Sequence, residues 1–130
     1  MDKVFTPVNI GNFHWTLAVI YVTKKRIVFY DSMGGSGDKY LQALKRYLTD
    51  ESQDKKQKAI DLNDWTVQSN GKKIPRQNNS YDCGVFTCAF ADFLSDDLPL
   101  RFAQSDIAKW RHKIAHAVLQ GRIEYPSDRL

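Results

Sequence analysis

Apolar and polar positions divide the chain into stretches with different periods. Residues 14–22 (HWTLAVIYV) and 26–30 (RIVFY) are runs of strand formers, apolar almost throughout and separated only by Thr23-Lys24-Lys25. A half-wetted strand would alternate, and these do not, so the pattern predicts a hairpin whose strands are covered on both faces. Residues 4–10 form a shorter apolar stretch carrying Pro7, which lacks a backbone donor and so belongs at a sheet edge or strand end. A glycine-rich break at residues 34–37 then leads to Asp38, a candidate helix cap. From Lys39 to Glu51 the period becomes helical, with Tyr40, Leu41, Leu44, Tyr47 and Leu48 inward and Lys45, Arg46 and Asp50 outward. Residues 52–58 read as helix end plus loop, 64–68 (DWTVQ) as a short strand, and 69–79 as an exposed loop.

The most apolar stretch is residues 83–94 (CGVFTCAFADFL), where Cys, Val, Phe, Ala and Leu fill nine of twelve positions. It is too long for an ordinary strand and predicts a buried central helix with Asp82 as N-cap. Residues 104–120 follow as an amphipathic helix with Ile107, Trp110, Ile114 and Ala117 inward, stopped by Gly121. Strands, helix, strand, helices in that order predict an α+β domain: a short mixed or antiparallel sheet packed against a central helix and flanking helices. We expect a single domain over residues 1–124 and a frayed tail at 125–130, which contains Pro126.

Composition narrows the classes. The chain has 130 residues, 42% of them apolar and 26% charged, which suits one globular domain and excludes a disordered or fibrous chain. No apolar run approaches the roughly 20 residues of a membrane-spanning helix, and Met1-Asp2-Lys3 does not open a signal peptide, so a soluble protein is expected. The net charge of +4 is scattered over several short Lys/Arg clusters where turns and solvated helix faces are expected. Nucleic-acid binding is therefore a minor reading. Cys83 and Cys88 are the only thiols, and on one helix they point about 140° apart, which disfavours a disulfide between them. Free thiols suggest a reducing compartment, the nucleus or cytoplasm, and two cysteines alone make a poor zinc site.

Cys83 stands at the first turn of the apolar helix, where unpaired N–H groups and the helix dipole favour the thiolate. Gly84 leaves room for a substrate backbone beside it. The competing reading is an inert buried thiol, as expected for Cys88 in the core. A thiol nucleophile needs a base, and three histidines are available. His112 and His116, four apart on the last helix, read as surface residues. His14 opens a strand after a Gly-Asn-Phe break, from where an imidazole can project into a cleft. If the hairpin sets Asp31 opposite Thr16, the carboxylate lies on the same face as His14, as a diagonal neighbour roughly 7–8 Å away at the backbone. A register shifted by one separates them.

Three strings, Gly11-Asn12-Phe13-His14-Trp15, Tyr30-Asp31-Ser32-Met33-Gly34-Gly35 and Gln77-Asn78-Asn79-Ser80-Tyr81-Asp82-Cys83-Gly84-Val85-Phe86, resemble the Ulp/sentrin-protease (SENP) family of cysteine proteases, which process SUMO and related ubiquitin-like modifiers. The resemblance implies a papain-like α+β fold of the Ulp type and runs over nearly the whole chain. It implies Cys83 as nucleophile, His14 as general base and acid, and Asp31 as the residue that fixes the imidazole. Gln77 would complete an oxyanion hole beside the Cys83 backbone N–H, and Trp15 would pack over the modifier's thin Gly-Gly tail. No metal or cofactor is implied, and the expected partner is SUMO or another ubiquitin-like modifier, met by a monomer. The family pattern also includes an earlier, largely helical segment with a second tryptophan, which neither Trp65 nor Trp110 replaces in order. Two expectations follow: a deconjugating or processing protease, or a non-catalytic module that binds a modifier with part of its clamp.

Overall fold

Four strands form one sheet in chain order, β1 (Lys3–Ile10), β2 (His14–Tyr21), β3 (Arg26–Tyr30) and β4 (Thr66–Ser69). The computed structural model describes residues 1–70 and 72–124; the tail expected at 125–130 lies outside them. The first three strands are antiparallel neighbours, whereas β4 runs parallel to β3. A parallel partner needs a crossover, and helix α1 (Asp38–Lys56) supplies it. Helix α2 (Cys83–Ser95), a 3-10 turn at Gln104–Asp106 and helix α3 (Ile107–Gln120) complete the α+β architecture.

Both faces of the hairpin are dry, as its apolar runs predict. Leu17, Val19, Tyr21, Val28 and Tyr30 pack on one face against Phe86, Ala89, Phe90 and Phe93 of α2, with Phe102, Ile107 and Trp110 behind. Ala18, Ile20, Ile27 and Phe29 pack on the other against Leu41 and Trp65. The single-residue alternation between the two sets follows from the strand's two-residue period. Strand β1, with Pro7, lies at one edge of the sheet, also as expected.

Several local expectations are corrected. Helix α1 extends to Lys56 instead of ending near Glu51, because residues 51–56 are mostly good helix formers and Lys55 and Lys56 suit the C-terminal dipole. Its cap position is held by Gly37, and Asp38 is the first helical residue. Tyr47 is exposed, not inward: it lies about 120° round the helix from Leu41. Cys88 is likewise exposed, not in the core. Two helical steps turn it about 160° away from Phe86, onto the face of α2 that the described residues leave open. Asp82 does hold the N-cap position of α2, but its side chain makes no cap hydrogen bond.

The packing of α2 on the sheet centres on Phe90, 1% exposed, whose ring lies 5.6 Å from Phe102 and 6.0 Å from Tyr30 between centroids. Phe90→Ala should cost about 3–5 kcal/mol, read from urea unfolding at constant m-value. A loss below about 1 kcal/mol would mean that neighbouring rings close the cavity and that α2 is held elsewhere.

Candidate active site

The β2–β3 ladder pairs Leu17 with Tyr30, which sets Asp31 beside Thr16 one step beyond it, the register that puts His14 and Asp31 on one face. Their side chains meet: His14 Nε2–H donates to Asp31 Oδ1 at 2.6 Å, with both residues buried. Asp31 Oδ1 also accepts from the Met33 N–H at 2.8 Å, and Oδ2 from the Gly35 N–H at 3.1 Å. A buried carboxylate is costly without such donors, and these also fix its rotamer. With Nε2 committed to Asp31, Nδ1 is the ring nitrogen left to exchange a proton with a substrate or nucleophile.

Cys83 is the first residue of α2 and is 6% exposed. Its Sγ accepts the Trp15 backbone N–H at 3.5 Å, so the thiol lies against the residue next to His14. Desolvation pushes the Cys88 thiol up, leaving it less thiolate at neutral pH than an ordinary cysteine. Position and chemistry therefore separate two thiols that share one helix.

Gln77 is brought to the same region by the loop before α2. Its backbone N–H donates to the Ser32 carbonyl at 3.0 Å, and its Oε1 accepts from Ser32 Oγ at 2.5 Å. Its Nε2 donates one hydrogen to the Asn79 carbonyl at 2.6 Å, leaving the second free for another acceptor. Arg76 Nη2 ties the same loop to the Met33 carbonyl at 2.9 Å. The loop is thus strapped to the turn that carries Asp31.

A cleft of about 470 Å³ lies over this region, lined by Phe13, Trp15, Tyr81, Cys83, Gly84 and Arg111 among others. Trp15 is 44% exposed, and a Cβ added to Gly84 would meet only the Trp15 ring, at 3.8 Å. The indole therefore packs on Gly84 with room for no more than a methyl group between them. A larger groove of about 820 Å³ between β1, α2 and α3 is mainly apolar and contains neither His14 nor Cys83. His112 and His116 are exposed on α3, as expected from the sequence.

Asp82 lies immediately before the thiol and is only 5% exposed. Burial, the largest single influence, pushes its carboxyl up. Hydrogen bonds from Asn79, Arg111 and Gln104, with the Arg111 charge, outweigh that and hold it below the usual carboxylate range. Sequence reasoning missed Ser32, Asn79, Gln104 and Arg111. The only hint for Arg111 is that no acid stands three or four residues from it on its own helix, where Ile107, Ala108, Ile114 and Ala115 occur.

The Ulp1 protease family, C-terminal catalytic domain, matches residues 1–123, and the chain belongs to that family of cysteine proteases. A sentrin-specific protease of Caenorhabditis elegans is 38% identical over 122 residues, covering 94% of this chain and 17% of that protein. Human sentrin-specific protease 2 is 39% identical over 123 residues, covering 94% of this chain and 21% of that protein. Among solved structures, SUMO protease Ulp1 with its catalytic cysteine oxidised to a sulfonic acid superposes with a TM-score of 0.80 at 33% identity, covering 93% of this chain and 54% of the other. The Ulp1 protease domain in complex with Smt3, the yeast ortholog of SUMO, gives 0.78 at 33% identity, covering 92% of this chain and 53% of the other. The chain thus spans about a fifth of the length of these curated relatives and about half of the solved ones. The Ulp-type α+β fold expected from the sequence is the fold observed.

Two outcomes test this geometry. A Cβ on Gly35 would lie 2.6 Å from Asp31 Oδ2, so Gly35→Ala must displace the carboxylate or the turn. The ring ¹⁵N resonances of His14 should shift, and an unchanged spectrum would show that the turn absorbs the methyl without moving Asp31. The lowered Asp82 carboxyl contributes stability that is complete above the unfolded value of about 4 and is lost as pH falls through the lower folded value. The stability gap between wild type and Asp82→Asn should hold constant at pH 6–7 and shrink below about pH 4. A gap independent of pH in thermal unfolding would remove the carboxylate from the account.

Proposed function

We propose that this chain is a catalytic-domain unit, residues 1–124, that hydrolyses the peptide or isopeptide bond after the C-terminal Gly-Gly of SUMO or a related ubiquitin-like modifier. The observation that carries the reading is the buried 2.6 Å contact between His14 Nε2 and Asp31 Oδ1, formed beside the thiol at the start of α2. Cys83 is the nucleophile, His14 the general base and acid, and Asp31 the group that holds the imidazole. Family membership and the Smt3 complex of the Ulp1 relative support the modifier as substrate and partner. No metal or cofactor enters the reading.

The thiolate attacks the carbonyl carbon of the modifier's last glycine, and the carbonyl oxygen becomes an oxyanion. The free Gln77 amide hydrogen and the Cys83 backbone N–H are the donors that stabilise it, each such donor being typically worth about 10²–10³ in rate. Protonated His14 gives its proton to the leaving amine as the C–N bond breaks, which leaves a thioester. Water, deprotonated by His14, attacks that thioester, and the C–S bond breaks to release the modifier's carboxylate and regenerate the thiol. Trp15, half-exposed in the cleft beside Cys83 and packed on Gly84, is the flat side chain that covers the modifier's Gly-Gly tail. Two free thiols fit a reducing compartment, the nucleus or cytoplasm. Among the described residues no helix is long and apolar enough to cross a membrane.

Intact mass after incubation with SUMO bearing a cysteine-reactive group in place of its C-terminal glycine tests the proposal, with ubiquitin carrying the same group as control. One SUMO adduct is expected, absent in Cys83→Ala while that variant still folds. No adduct from a folded chain, with SUMO binding retained in a pull-down, would make the chain a binding module instead.

A further inference from the structure

An aspartate at a helix N-cap ordinarily accepts from the N–H of the second or third helical residue. Asp82 holds that position on α2 and does not cap it. Both of its oxygens are engaged elsewhere. Oδ2 accepts from Asn79 Nδ2 at 2.7 Å and Gln104 Nε2 at 2.8 Å. Oδ1 accepts from Arg111 Nε at 3.0 Å and Nη2 at 2.5 Å. Arg111 Nη2 also reaches the Tyr81 carbonyl at 3.3 Å, and Gln104 Oε1 accepts the Asn78 N–H at 2.9 Å.

Where that carboxylate points has a chemical consequence. The first turn of α2 begins at Cys83, and its N–H groups and dipole are the positive end facing the thiol. A carboxylate swung onto them would offset that positive end and set a like charge beside the thiolate. The pair of Nε and Nη2 on one oxygen, from a helix with no acid of its own within a turn, holds it away.

We propose that Arg111 is a positioning residue that keeps the Asp82 carboxylate off the N-terminus of α2, leaving the Cys83 sulfur clear of a like charge. The effect on turnover rests on the protease reading above; the effect on the thiol does not. Arg111 touches neither reacting atom and acts through Asp82.

The test compares wild type, Arg111→Gln, Asp82→Asn and the double variant in two assays. The first is the rate of alkylation of Cys83 by iodoacetamide at neutral pH, resolved from Cys88 by peptide mass. The second is kcat and KM for release of a C-terminal amide from SUMO. Arg111→Gln should slow alkylation of Cys83 about tenfold, the scale of one like charge brought within a few ångströms, and leave Cys88 unchanged. It should lower kcat by a similar factor with KM within about twofold of wild type. Adding Asp82→Asn should restore most of both losses, because the displaced group is then neutral. Unchanged alkylation in Arg111→Gln, or a double variant no faster than the single one, would overturn the proposal. Should wild type release no amide, the protease reading falls, and the alkylation arm still decides the role of Arg111.

Discussion

Everything at the site depends on the register of one hairpin. His14 and Asp31 come from different strands, and their 2.6 Å contact exists only because Leu17 pairs with Tyr30. A slip of one residue would turn one of them to the opposite face. Hydrophobicity alone pins this register weakly, since both faces are buried and either would accept an apolar side chain. Polar matching does more. The Tyr21 and Tyr30 hydroxyls meet at 2.8 Å within the core, and a slip would carry one of them to the α1 side and leave both without their partner. The register thus couples a structural pair of tyrosines to the imidazole–carboxylate pair at the strand ends.

The remaining pieces are attached by different physics. Helix α2 is held by aromatic packing, with Phe86, Phe90 and Phe93 against the sheet and Phe102, so the position of Cys83 is inherited from the core. The Gln77 loop buries little. It is held by polar contacts to Ser32, Met33, Asn79 and Gln104, groups that compete with water for every bond. His14 and Cys83 therefore sit on rigid elements, while Gln77 sits on a loop whose geometry is a sum of hydrogen bonds. Local opening in such a molecule should begin at the loop, because few apolar contacts oppose it.

Much of this was legible in the sequence because the signals are local. The paired apolar runs give the hairpin, Gly11 and the glycines at 34–37 give breaks, and three short strings bring His14, Asp31, Gln77 and Cys83 into view. What stayed hidden depends on distance or on angle. The short strand expected at 64–68 is β4 at Thr66–Ser69, but its parallel pairing with β3 leaves no local pattern to read. Cys88 reads as core because its neighbours are apolar, whereas the helical angle turns it outward. Asp82 reads as a cap from its position, and the residue that turns it away lies 29 positions later on another helix.

The two thiols of α2 share a helix but not a setting. Both belong to the same helix, five residues apart, and both are free. Cys88 has its amide inside the helical ladder and its thiol desolvated in an apolar groove, which favours the neutral form. Cys83 begins the helix, where backbone N–H groups have no intrahelical acceptor and the dipole favours an anion. Cys83 is nonetheless the more buried of the two residues. The surroundings of Cys83 also include Asp82, a full negative charge on the adjacent residue. The charge of that acid is met by Gln104, from the 3-10 turn, and by Arg111, from α3, both far along the chain from the helix whose N-cap it occupies.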